Sequence, residues 1–160
     1  MTRALLFVFC LVSLSAFVAS ATGCATVRVK EPEPGSCVVT AKYLVGGREA
    51  HVKDHKAKIP GLLGDRDIAY MKDDGTLVYS AGIMELESGE AKDGKLILKG
   101  LGLSYSSDPI ADGKVRVPMP LGSRDFTYEG DCRVEDAALG AFALFKMEDE
   151  DNMTATAAAN

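Results

Sequence analysis

With 160 residues and 18 Lys+Arg against 23 Asp+Glu, the chain can bury one core but is too acidic to bind nucleic acid or other polyanions by charge. Two histidines and no tryptophan leave little for metal chemistry or a tryptophan carbohydrate platform. No phosphate-cradling glycine loop, nucleophile elbow, Cys-x-x-Cys or calcium loop is present, so neither an enzyme nor a bound cofactor is expected.

In chain order, Arg3 is followed by the apolar run Ala4 to Leu14, small residues to Val18, and Ala19-Ser20-Ala21. That order is a secretory signal, and the run is shorter than the ~20 apolar residues of a membrane span. Residues 1–23 are therefore expected to address the chain for export and then to be removed. The mature chain keeps 17 Lys+Arg against 23 Asp+Glu, a net charge of −6, and four of its carboxylates form the run Glu148-Asp149-Glu150-Asp151. Cys10 lies in the signal, which leaves Cys24, Cys37 and Cys132. An odd number in an oxidising compartment means that one cysteine does something other than pair internally.

Ala21-Thr22-Gly23-Cys24 resembles the lipobox of bacterial lipoproteins, with Ala21 where that motif prefers Leu. The resemblance implies that Cys24 is acylated and holds the protein on a lipid bilayer, at the outer membrane or cell surface, and that Cys37 and Cys132 form the one disulfide. Ordinary cleavage after Ala21 is the alternative; it gives a freely secreted protein with a spare thiol or an intermolecular disulfide. Residues 24–36 then serve as anchor and tether, with Lys30-Glu31-Pro32-Glu33-Pro34-Gly35-Ser36 as a polar, extended stretch.

Strand signals fill residues 37–147. Cys37 to Val45 alternates and runs into Gly46-Gly47; Ile68 to Met71 and Thr76 to Leu86 flank Asp73-Asp74-Gly75. Asp93-Gly94 leads into Lys95 to Leu103, and Asp112-Gly113 into Lys114 to Val117. Phe126-Thr127-Tyr128 and Gly140 to Met147 complete the set. No twelve-residue window carries a helical stripe. Residues 148–160, acidic and then small and polar, read as a disordered tail, in which the sequon Asn152-Met153-Thr154 carries little weight.

A shift of 58 residues lays Lys56–Tyr70 over Lys114–Tyr128 with seven identities: Lys56/Lys114, Pro60/Pro118, Leu63/Leu121, Gly64/Gly122, Arg66/Arg124, Asp67/Asp125 and Tyr70/Tyr128. About one is expected from composition. The same register sets Cys37–Val45 over Lys95–Leu103, and Gly82, Met84 and Leu86 over Gly140, Phe142 and Leu144. The expected fold is therefore all-β, a sandwich or small barrel of about eight strands built from two tandem repeats, near 37–89 and 95–147, with a pseudo-twofold axis.

Period-two alternation places Arg66, Ile68 and Tyr70 on one face and Arg124, Phe126 and Tyr128 on its equivalent, with Asp67 and Asp125 opposite. Arg66, Tyr70, Arg124 and Tyr128 are the candidate ligand-binding residues, because guanidinium forks grip carboxylates bidentately. The competing reading is structural, a turn and strand start with arginine stems over an apolar rim. His51 and His55 share a face at four residues apart, but three lysines surround them and a solvated hairpin is expected, with no metal. The functional expectation is a non-enzymatic envelope lipoprotein that binds or assembles with another envelope component; the alternative is a secreted small-ligand binder with a pocket inside a barrel.

Overall fold

The computed structural model describes residues 34–42, 47–61, 64–100 and 103–158. The signal, Cys24 and residues 24–33 of the tether lie outside the described residues. Among the described residues ten strands follow one another: β1 (Cys37–Lys42), β2 (Gly47–Lys53), β3 (Lys56–Ile59), β4 (Arg66–Met71), β5 (Thr76–Ala81), β6 (Met84–Lys92), β7 (Lys95–Gly100), β8 (Leu103–Ser106), β9 (Lys114–Met119) and β10 (Gly122–Gly130). A helix, α1 (Val134–Ala158), ends the chain.

All ten strands belong to one antiparallel sheet in the order β8-β7-β6-β5-β4-β3-β2-β1-β10-β9. The architecture is thus barrel-like, and ten strands replace the expected eight. One extra strand arises because Thr76–Leu86 reverses at Gly82-Ile83 to give β5 and the start of β6. Another arises because β8 resumes after β7. Segment 107–110 draws the seam between β8 and β9 together: Ser107 N donates to Leu96 O (2.8 Å), Asp108 N to Arg116 O (2.8 Å) and Ile110 N to Gly94 O (2.9 Å). The buried Ser107 hydroxyl accepts from Leu96 N at 2.9 Å, so a side chain stands in for a strand carbonyl.

The meander gives the sheet two unlike ends. At the base, two-residue turns at Asp54-His55, Asp93-Gly94 and Asp112-Gly113 have positive φ at both positions, the backbone that matches strand twist. At Asp73-Asp74-Gly75, the Asp74 carboxylate accepts from Thr76 N (2.9 Å), and these backbone bonds hold it below the usual carboxylate range. The other end, here the mouth, holds the β5–β6 and β9–β10 turns.

Helix α1 starts at the base and fills the interior. Ten consecutive residues, Asp136 to Phe145, are buried, and α1 packs on β1 through β7 and on β9. A helix enclosed all round has no polar face, so it shows no amphipathic stripe. This overturns the strand expected at Gly140–Met147 and the disordered tail expected from 148: residues 148–158 continue the helix. Phe142, Leu139 and Leu144 meet Val39, Val52, Leu77, Leu96, Val115 and Phe126 of the wall, all 0–2% exposed. Small wall residues Ala41, Ala50, Ala57 and Ala69 make room for α1. At Gly89 an added Cβ would touch the Phe142 ring at 3.0 Å.

Cys37 and Cys132 are disulfide-bonded, with Cα atoms 4.6 Å apart. The bond ties the start of β1 to the link between β10 and α1, beside the Cys37–Gly130 register pair. Arg133 then grips the buried Asp136 through Nε (3.0 Å) and Nη2 (3.3 Å), which seats the first turn of the helix.

Several register pairs recur 58 residues apart. Lys58 faces Asp67 and Arg116 faces Asp125; Ile59 faces Arg66 and Val117 faces Arg124. Lys53 faces Lys56, and Ala111 bridges Lys114. The correspondence stops after β10, because Met84 and Leu86 lie on a strand while Phe142 and Leu144 lie on α1.

Candidate functional site at the barrel mouth

Residues that share a strand face with core side chains reach α1 where it leaves the barrel. Arg124 stands two residues before buried Phe126, Arg48 two before buried Ala50, and Tyr79 two after buried Leu77, so all three point inward. On α1, successive residues turn by about 100°, so the run Glu148–Asp151 presents its carboxylates to different strands. Glu148 Oε1 meets Arg124 Nη2 at 2.7 Å. Asp151 Oδ2 meets Arg48 Nη1 at 2.6 Å, and the Tyr79 hydroxyl donates to Glu150 Oε2 at 2.9 Å.

Burial, and then the hydrogen bond to Glu150, push the Tyr79 phenol far above its ordinary value, with the Arg66 charge pulling the other way. Burial likewise raises the Asp149 carboxyl, opposed by Lys146 and Arg124. Both ion pairs are partly solvated, so each stabilises the fold by only about 0–1 kcal/mol. The mouth therefore orients the helix end, while the core holds the fold.

A cleft of about 310 Å³ opens between the mouth ends of β1 and β10 and the helix; Thr40, Lys42, Ser123, Arg124, Thr127 and Glu148 line part of it. Its lining is mixed in charge. Arg124 within it is already engaged by Glu148, leaving Lys42 as the cation with no ion pair among those described.

Of the four candidate residues, Arg66 and Arg124 both face the inside at the mouth. Tyr128 lies deeper on β10, packed against the core. Tyr70 does not share their face: the register slips between Ala57 and Lys58, Ile68 and Ala69 both turn inward, and Tyr70 is left outside. There it donates to Glu85 Oε2 at 3.1 Å, beside the Lys72–Glu87 pair. The expected Arg66–Tyr70–Arg124–Tyr128 grouping therefore does not form. Asp67 and Asp125 do face outward, opposite Lys58 and Arg116, each pair at 3.6 Å. His51 and His55 diverge: His51 Nε2 is 3.7 Å from Glu49, and His55 Nε2 is 3.4 Å from Arg133.

Arg48, Tyr79 and the acidic run are the residues that sequence reading missed. The signal for Arg48 was its alternation with Ala50 and Val52. No protein-family model, curated protein or solved structure matches the chain.

Proposed function

We propose that the protein is an exported cell-envelope lipoprotein, acylated at Cys24 and tethered through residues 25–36, whose β-domain binds or assembles with another envelope component and carries out no bond-breaking chemistry. The observation that carries the reading is the direction of the chain. It enters β1 at the base beside the Cys37–Cys132 disulfide, while the arginine and tyrosine mouth lies at the far end. A lipid on Cys24 would therefore connect to the domain through its base, which leaves the mouth for contact with another part of the envelope.

We read the domain as two tandem copies, β1–β4 and β7–β10, with β5–β6 between them and α1 in place of a second such hairpin. The recurring register pairs and the matching bounds of β1 and β7, 58 residues apart, support this. The pseudo-twofold axis would then leave Arg66 and Arg124 as counterparts facing one helix.

The runner-up is a freely secreted binder of small anionic ligands. It is favoured by the cleft beside Lys42 and Arg124, since α1 occupies the interior that a ligand chamber would need. Intact-mass spectrometry of the membrane fraction separates the two. A diacyl or triacyl mass on Cys24 is expected; an unmodified chain that starts at Thr22 refutes the anchor.

A further inference from the structure

The two ends of the barrel differ in chemistry. Base turns are built from Asp54-His55, Asp73-Asp74-Gly75, Asp93-Gly94 and Asp112-Gly113. The mouth turns instead lift aliphatic side chains into water: Ile83 is 103% exposed on the β5–β6 turn and Leu121 102% on the β9–β10 turn. Met84 and Leu103, at the same end, are 61% and 59% exposed. Nothing in the packing explains these choices, because a turn apex tolerates polar residues at no cost in core burial.

We propose that the mouth end docks on a lipid bilayer, with Ile83 and Leu121 as the side chains that enter the acyl region. The placement of the tips favours a fluid surface over a second copy of the chain. The β5–β6 and β9–β10 hairpins are separated around the rim by β1–β4 on one side and by β7–β8 on the other, and the acidic end of α1 emerges within that rim. Separate points can enter a bilayer one by one, whereas a partner protein needs a continuous matched face. Charge adds a second constraint. Glu148, Asp149, Glu150 and Asp151 lie at the mouth with Arg48, Arg66, Arg124 and Lys146, and Lys42 stands in the cleft beside them. With cations and carboxylates there nearly balanced, docking draws mainly on apolar insertion and gains little from anionic lipid.

The test uses residues 25–160, which contain every described strand, the helix and the disulfide, and which lack the acylation site; failure here is thus distinct from failure of the lipoprotein reading. The chain contains no tryptophan, so Ile83→Trp and Leu121→Trp are background-free reporters. With phosphatidylcholine vesicles each should shift to the blue and be quenched by acyl-chain-brominated phosphatidylcholine, equally well in high salt. The double substitution I83E/L121E should lower vesicle flotation at least roughly tenfold with an unchanged circular dichroism spectrum and melting temperature, and Ile83→Phe with Leu121→Phe should retain it. Three results would overturn the proposal: no blue shift up to about 1 mM lipid, binding that requires phosphatidylglycerol and vanishes in salt, or lipid-free dimerisation that I83E/L121E abolishes.

Discussion

Replacing Gly140 by alanine sets two effects of known size against each other. Alanine favours a helix interior over glycine by about 1 kcal/mol, so on an exposed helix Gly140→Ala would stabilise. Inside this barrel the new Cβ would stand 2.3 Å from Val39 Cγ2, 2.8 Å from Val39 Cβ and 3.2 Å from Val52 Cγ2. Carbon atoms in contact rest roughly 3.5–4.0 Å apart, and Val39 and Val52 are 0% and 1% exposed, so neither can swing into solvent. Overpacking of this kind costs about 1–3 kcal/mol, and displacing the β1 backbone puts it near the upper end. Subtracting the propensity gain leaves a net loss of about 1–2 kcal/mol. Urea denaturation followed by circular dichroism should show a lower midpoint with an unchanged slope. Adding Val39→Ala should make the two losses less than additive, since the residues touch. A Gly140→Ala protein more stable than wild type would refute the packing of α1 against β1 and β2.

The remaining predictions concern the staple and the mouth. Exchanging Cys37 and Cys132 for serine opens a loop of 95 residues and should lower stability by about 4 kcal/mol, measured by urea titration with and without reductant. The Tyr79 phenol is held well above its ordinary value of 10.0, so the protonated form is favoured in the fold. Its contribution is complete below the unfolded value and is lost as pH rises above it. Stability should therefore fall above about pH 10 in wild type and less so in Tyr79→Phe, with one tyrosine ionising only on unfolding in an ultraviolet titration. A double-mutant cycle on Arg124→Ala and Glu148→Gln should give a coupling of about 0.5–1 kcal/mol that shrinks in salt.

Turn chemistry and strand alternation were legible because they are local. Asp93-Gly94 and Asp112-Gly113 need positive φ at two adjacent positions, and the sequence announces it. The alternation that put Arg124 on the face of Phe126 also holds, since β10 runs without a register shift from Gly122 to Thr127. Tyr70 failed because one bulge reverses every side chain beyond it, and no residue at 57–69 marks it. Helix α1 was hidden by its own burial: periodicity reports a difference between two faces, and Asp136–Phe145 has none. Composition held a clue that periodicity lacked, since no Val, Ile or Thr occurs from Glu135 to Met153, unlike the strands. The mouth was illegible for a third reason. Glu148, Glu150 and Asp151 find partners at Arg124, Tyr79 and Arg48, remote in sequence, so the run looks unpartnered until the fold brings those strands around it.

Amide hydrogen exchange along α1 probes the enclosed helix most directly. Buried amides of residues 139–145 should exchange only through global unfolding, as slowly as those of β1 and β2, while amides of 152–158 exchange through fraying. Fast and uniform exchange from 134 to 158 would mean that the carboxyl-terminal segment is not threaded through the barrel.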